Sequence, residues 1–180
     1  MPPKVRITRQ MVIDAAFKVV RAEGVENLNV RRVAKELGCS TQPVLYSFAT
    51  VEELRKEVYA AADAFHTAYI MPDESAQNPL LALGQNYIRF GQEERHLFRF
   101  LFQTDSLGDD FSGIFASPEL DGIIGIVAAA TMCGEEEARR RFMAFFAVAH
   151  GFASLLANNA MEYDVELINA ALDEVYNVFG

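Results

Sequence analysis

Residues 29–48, NVRRVAKELGCSTQPVLYSF, constrain this chain more than any other stretch. Val30, Val33, Ala34 and Leu37 recur at the spacing of one helix face. Ala34 is small where a second helix must come close. Gly38 follows the last apolar residue, where a left-handed backbone ends a helix without a Cβ clash. Ser40 is placed to cap the next helix, its hydroxyl taking an otherwise unpaired backbone N–H. Pro43 falls in that helix's first turn, where its missing N–H costs little. Val44 and Phe48, four apart, form its buried face, which leaves Thr41, Gln42, Leu45 and Tyr46 opposite. Two short helices pinned by a tight turn make a helix-turn-helix, and that pattern predicts DNA binding.

The overall charge of −9 argues against a DNA partner until the chain is divided. Residues 1–60 carry 10 Lys/Arg against 7 Asp/Glu, whereas residues 61–180 carry 6 against 18. A basic head on an acidic body is the asymmetry expected when only the head meets phosphate. The two cysteines, Cys39 and Cys133, form no pairing framework and suit a reducing cytoplasm. The opening residues MPPKVRITRQ lack the apolar run of a secretory signal. Phe142–Ala157 is almost wholly apolar, but at 16 residues it is shorter than the roughly 20 of a spanning helix. A buried or dimer helix is expected there, not a membrane span.

The rest of the chain reads as helix. Thr8 caps a helix over residues 9–23, with Val12, Ala15, Ala16, Val19 and Val20 as its buried stripe and Gly24 at its end. Before it, Lys4, Arg6 and Arg9 form either a phosphate-touching arm or a solvated tail. Thr50 caps a helix from Val51 to about Ile70, with Glu52 and Glu53 favouring its first turn. Pro72–Pro79 breaks the chain. Helices follow over 80–94 and 96–103, then a loop over 104–117 with Phe111 and Phe115. Further helices run from Pro118 to about Met132, from Glu135 to about Glu162, and from the Asp164 cap to about Phe179. No strand pattern or repeat is present.

Over residues 5–60 the chain resembles the TetR family of transcriptional regulators. Val12, Ala15-Ala16, Gly24, Val33-Ala34 with Gly38, Phe48, and Glu52-Glu53-Leu54 fall at that family's intervals. Leu80–Phe102 and Phe146–Leu156, with His150-Gly151, are similar to one subgroup, although Ala149 stands where tryptophan is frequent. The resemblance implies an all-α fold: a three-helix DNA-binding head over residues 1–50, a connecting helix over 51–71, and a helical bundle for ligand binding and dimerisation over 72–180. It implies a ligand-responsive repressor with double-stranded operator DNA as partner. Two positions depart from the pattern. Leu45 replaces a usual tyrosine, and Val51 replaces a usual phosphate-contacting lysine.

Recognition is therefore expected from Thr41 and Gln42 at the start of the groove-entering helix, where base edges are reached. Ser40 belongs to the same edge, and Tyr46 lies one turn on. Arg31 and Thr8 are placed to hold phosphates. In the body, Tyr87, Phe90, Phe98, Phe102 and Phe146 are either ordinary core or the lining of a pocket for a small apolar or amphipathic effector. Gln103, His150 and Tyr87 are its candidate polar anchors. The pairs Asp63–His66 and Glu93–His96 leave a helical-bundle metalloprotein or enzyme as the alternative. No phosphate loop, nucleophile elbow or spaced Cys–His pair supports catalysis, and no cofactor is expected. A helix apolar all round needs partners on several sides, so the last two helices either lie at the centre of a monomer or, as expected here, form a homodimer interface.

Overall fold

Local signals set most helix ends. A computed structural model describes residues 7–104 and 120–178, and these are helical, with no strand among them. Helix α1, Arg9–Glu23, starts where Thr8 Oγ1 accepts the Met11 N–H, and it ends at Gly24 with φ 90°. A short 3-10 turn, Val25–Asn27, leads to α2, Val30–Glu36, capped by the Asn29 side chain. Gly38 closes α2 at φ 65°, with Gly38 N–H donating to Lys35 O and Cys39 N–H to Ala34 O. This paired arrangement satisfies the last carbonyls.

Helix α3, Gln42–Ser47, corrects one expectation. Ser40 is not its cap: Thr41 holds that position with helical dihedrals and no side-chain bond. A capping hydroxyl must reach back from an extended residue, and none stands there. Helix α4, Val51–Ile70, starts as anticipated: Thr50 Oγ1 accepts the Glu53 N–H, while Glu53 Oε2 accepts the Ala49 N–H.

The later helices shift slightly. Helix α5 is Pro79–Glu93, capped by Asn78, and α6 is Arg95–Phe102. Helix α7 is Asp121–Thr131. Pro118 and the loop phenylalanines Phe111 and Phe115 lie outside the described residues, as do Lys4 and Arg6. Helix α8, Glu135–Ala157, stops five residues before the expected Glu162. Asn159 turns left-handed at φ 55°, and the Asn159 and Ala160 N–H groups close on Leu156 O and Leu155 O. Helix α9, Val165–Val178, begins under Asp164, whose Oδ1 accepts two backbone N–H groups.

Helix α1 packs on α2, α3 and α4, and also on α6. Helix α5 lies against α4, α8 and α9, while α8 also meets α6, α7 and α9. The approach of α5 to α8 needs glycine. A Cβ at Gly91 would sit 2.7 Å from Ala153 O, and one at Gly84 would sit 2.6 Å from Phe145 Cζ. One apolar core runs through all of this, from Val12 to Leu172. Two contacts tie α1 to the later helices. Arg21 donates to both carboxylate oxygens of Glu94, a residue 9% exposed at the α5–α6 corner. Phe17 meets the Phe65 ring of α4 edge-on at 5.7 Å.

Candidate functional site

Two regions hold the residues singled out by sequence. The first is the outer face of α3. Val44 and Phe48 are buried beneath it, whereas Gln42 is exposed, Leu45 is 50% exposed and Tyr46 is 82% exposed. No core packing accounts for a large aromatic left so open at the end of a short helix. Thr41 is half-buried at the N-terminal edge, and Ser40 is exposed beside it. Arg31 is exposed at the start of α2 and has no carboxylate partner among the described residues. Its neighbour Arg32 is held by Glu23.

Thr8 spends its hydroxyl on the α1 cap and remains exposed. Arg9 is not a free arm residue. It pairs with Glu53 and Glu57, and its guanidinium stacks 4.0 Å over the Phe48 ring. That arrangement fixes α1 to α4 beside the turn. The outer face of α3 thus presents exposed polar groups on a packed base, as reading a groove requires.

The second region is a ring cluster drawn from α4, α5, α6 and α8. Tyr87 is its hub. Its ring lies 6.0 Å from Phe98, 5.8 Å from Phe102 and 5.3 Å from Phe146. A 2.9 Å hydrogen bond joins its hydroxyl and His150 Nδ1. Phe90 enters through His66, 4.8 Å away. Gln103 is the exception: it is exposed, and its amide serves Ser154 and Asn158 at the end of α8.

His66 is the residue that sequence reasoning misplaced. It is only 7% exposed, and the rings of Tyr87, Phe90 and Phe102 surround it within 4.8–5.5 Å. Its Nε2 is buried without a hydrogen-bond partner among the described residues. Leaving such a group unpaired costs about 1–3 kcal/mol. Burial pushes its pKa from 6.5 down to about 4, so the ring is neutral at pH 7. Burial also lowers the pKa of His150 and raises that of the Tyr87 hydroxyl. One signal could have found His66. Leu54, Val58, Ala62, His66 and Ile70 form an unbroken stripe at four-residue spacing, and all are buried.

The acid-x-x-His pairs do not build a shared site. Asp63 is exposed while His66 faces the rings. Glu93 instead accepts the Tyr69 hydroxyl at 2.6 Å, and His96 Nδ1 lies 3.0 Å from an Arg99 nitrogen. No group of three or more His, Cys, Asp or Glu among the described residues is placed to hold a metal ion. No helix among them is long and apolar enough to cross a membrane.

A transcriptional regulator from Rhodococcus sp. Rha1 has a similar structure, with a TM-score of 0.70, 20% identity and 96% of each chain covered. The tetracycline repressor variant TetR-Q116A from Acinetobacter baumannii AYE, solved with minocycline, gives 0.61 at 18% identity, again with 96% of each chain covered. The multidrug binding protein EbrR, solved with imidazole, gives 0.60 at 22% identity over 93% of this chain and 88% of that one. At these identities the likeness establishes the fold. No curated protein matches the chain. The profile of the tetracyclin repressor-like C-terminal domain matches residues 80–175, more than half of the sequence. With that match spanning α5 to α9 and a helix-turn-helix preceding it, the chain belongs to the TetR family of transcriptional regulators.

Proposed function

We propose that this regulator is a ligand-responsive repressor acting as a cytoplasmic homodimer. Residues 1–50 read operator DNA, the helix over 51–71 connects, and residues 72–180 bind the effector and form the dimer. The observation that carries the reading is the outer face of α3, where Gln42, Leu45 and Tyr46 stand open over a buried Val44. Gln42 is suited to pair with adenine, and a half-buried Thr41 to meet a thymine methyl. Tyr46 and Arg31 hold phosphate on either side, which sets register without specifying sequence. Ser40 and Thr8, both exposed, add backbone contacts.

The dimer reading draws on the last two helices. Helix α8 leaves Met143, Ala147, Gly151 and Leu155 exposed at four-residue spacing, and α9 leaves Val165 and Leu167 exposed. A second copy covers such a stripe, and a two-fold pair of heads about 34–36 Å apart reads successive major grooves. The effector reading draws on the ring cluster of Tyr87, Phe90, Phe98, Phe102, Phe146 and His150, with Gln103 at its margin. Every element of that cluster touches α4 or α6, and α1 packs on both. Binding there changes the angle of the heads only through better affinity for the conformer that does not fit DNA. A swing from 1:99 to 99:1 needs about 5.5 kcal/mol of such preference.

The test is a binding titration against the DNA upstream of the chain's own coding sequence at roughly 0.1 M salt. A specific complex is expected, and Gln42→Ala should weaken it about tenfold, as loss of one bidentate base contact does. No specific complex, or one indifferent to Gln42→Ala and Tyr46→Ala together, would sink the reading.

A further inference from the structure

The surroundings of His66 bear on the chemistry of the effector, given the effector-binding half of the proposed function. His66 is set apart from the other polar groups of the body. His150 is bonded to the Tyr87 hydroxyl at 2.9 Å. His66 Nε2 is enclosed and unpaired among the described residues. Among the described residues, Arg55 Nε and Gln92 Oε1 are also buried without partners, but they belong to half-buried side chains, not to a residue ringed by aromatics. Three rings meet the imidazole edge-on: Phe90 at 4.8 Å, Phe102 at 5.1 Å and Tyr87 at 5.5 Å.

We propose that the effector is an uncharged hydroxylated aromatic molecule, a phenol, whose ring takes the place of the Phe102 side chain against His66 and whose hydroxyl bonds His66 Nε2. Each part of that description has a cause. A hydroxyl both donates and accepts, so it completes the bond whichever imidazole nitrogen carries the proton. An aromatic body restores the edge-to-face contacts that the displaced ring made. The molecule is uncharged because the rings of Tyr87, Phe90 and Phe102 enclose His66, and a charge buried among rings is strongly disfavoured. Phe102 is the ring that yields. It ends α6 and is half-buried, whereas Phe90 and Phe98 are fully enclosed. His66 also shares the buried stripe of α4 with Leu54 and Val58, so a ligand held there acts on the helix that leads to the head.

The test is a fluorescence titration of the full chain with three probes: naphthalene, 2-naphthol and 2-naphthoate. The chain has no tryptophan, so probe emission is read without indole background. 2-Naphthol should bind about tenfold tighter than naphthalene, the effect of completing one buried hydrogen bond. 2-Naphthoate should bind more weakly than either. In His66→Phe the preference for 2-naphthol over naphthalene should vanish while naphthalene still binds, and His66→Gln should retain part of it. Should His66→Phe not fold by circular dichroism, His66→Leu is read the same way. Equal affinities for naphthol and naphthalene in the unaltered chain, a preference that survives removal of the imidazole, or failure of all three probes to bind would each overturn the proposal. Operator release by naphthalene and 2-naphthol alike would leave the effector reading intact and remove only the phenol.

Discussion

The head and the ring cluster treat polar groups in opposite ways. Beneath α1 to α3 the interior is mainly aliphatic, built on Val12, Ala16, Val33, Ala34 and Val44 with the Phe48 ring beside them, and Gln42, Tyr46 and Arg31 stand outside. In the later helices a cluster of rings sits among the aliphatic side chains, and it holds polar groups: the Tyr87–His150 pair and His66, whose Nε2 is unpaired among the described residues. A surface that reads a groove must display its donors and acceptors in water on a rigid base. A site that senses a small molecule must keep them dry, where one bond is worth more. The difference also sets what each region tolerates. Outer-face changes at α3 should alter affinity with little change in stability, whereas changes in the ring cluster should alter stability first.

The largest effect that sharpens this contrast is expected from Phe98→Ala. It removes a fully buried ring between α5 and α8 and should cost about 3–5 kcal/mol, read by urea unfolding. A loss under about 1 kcal/mol would mean that the cluster is loosely packed and the contrast is wrong. His66 supplies the next effect. Its pKa falls from 6.5 to about 4 on folding, so between those values the unfolded chain binds more protons. Stability from this group is complete above pH 6.5, declines as pH falls, and is lost near pH 4, by about 3 kcal/mol in total. The difference between unfolding free energies of the unaltered chain and His66→Phe across that range isolates it. A flat difference would place the imidazole in water.

The link between the regions comes third. Arg21 is half-exposed and Glu94 is buried. Arg21→Ala strands a buried carboxylate and should cost about 2 kcal/mol, whereas Glu94→Gln leaves only a solvated arginine and should cost about half that. Equal losses would show that Glu94 reaches water in the folded state. Smallest is Tyr46→Ala, expected to change stability by no more than about 0.5 kcal/mol while weakening operator binding several-fold. A large loss of stability there would mean that the ring packs, and the outer face would lose its best support.

The helix-turn-helix was legible because its determinants are local. Gly38 closes α2 through bonds to residues three and five positions back, and Thr50 starts α4 through a bond three positions on. Buried and open positions of α3 also followed from spacing alone, since Val44 and Phe48 lie one turn apart. Ser40 was misjudged by one residue, because sequence marks a cap type more surely than the dihedral angles that let it act. The stop of α8 at Ala157 was missed for a similar reason. Asn159 carries the left-handed turn there in place of the glycine that usually announces one.

Local pattern therefore determined the helical class, the helix-turn-helix and the residues it turns outward. Capping bonds span three to five residues and amphipathic faces repeat every turn, so both are written within a short window. Tertiary structure alone decided which side chains share the ring cluster, because His66, Tyr87 and His150 come from three helices that meet only after folding. It alone decided that Arg21 finds Glu94, 73 residues away in sequence. It also decided the standing of His66. As a letter beside Asp63 it suggested a metal ligand. At a buried position among three rings it is a neutral group with an unmade bond, because burial removes the water that would otherwise complete it.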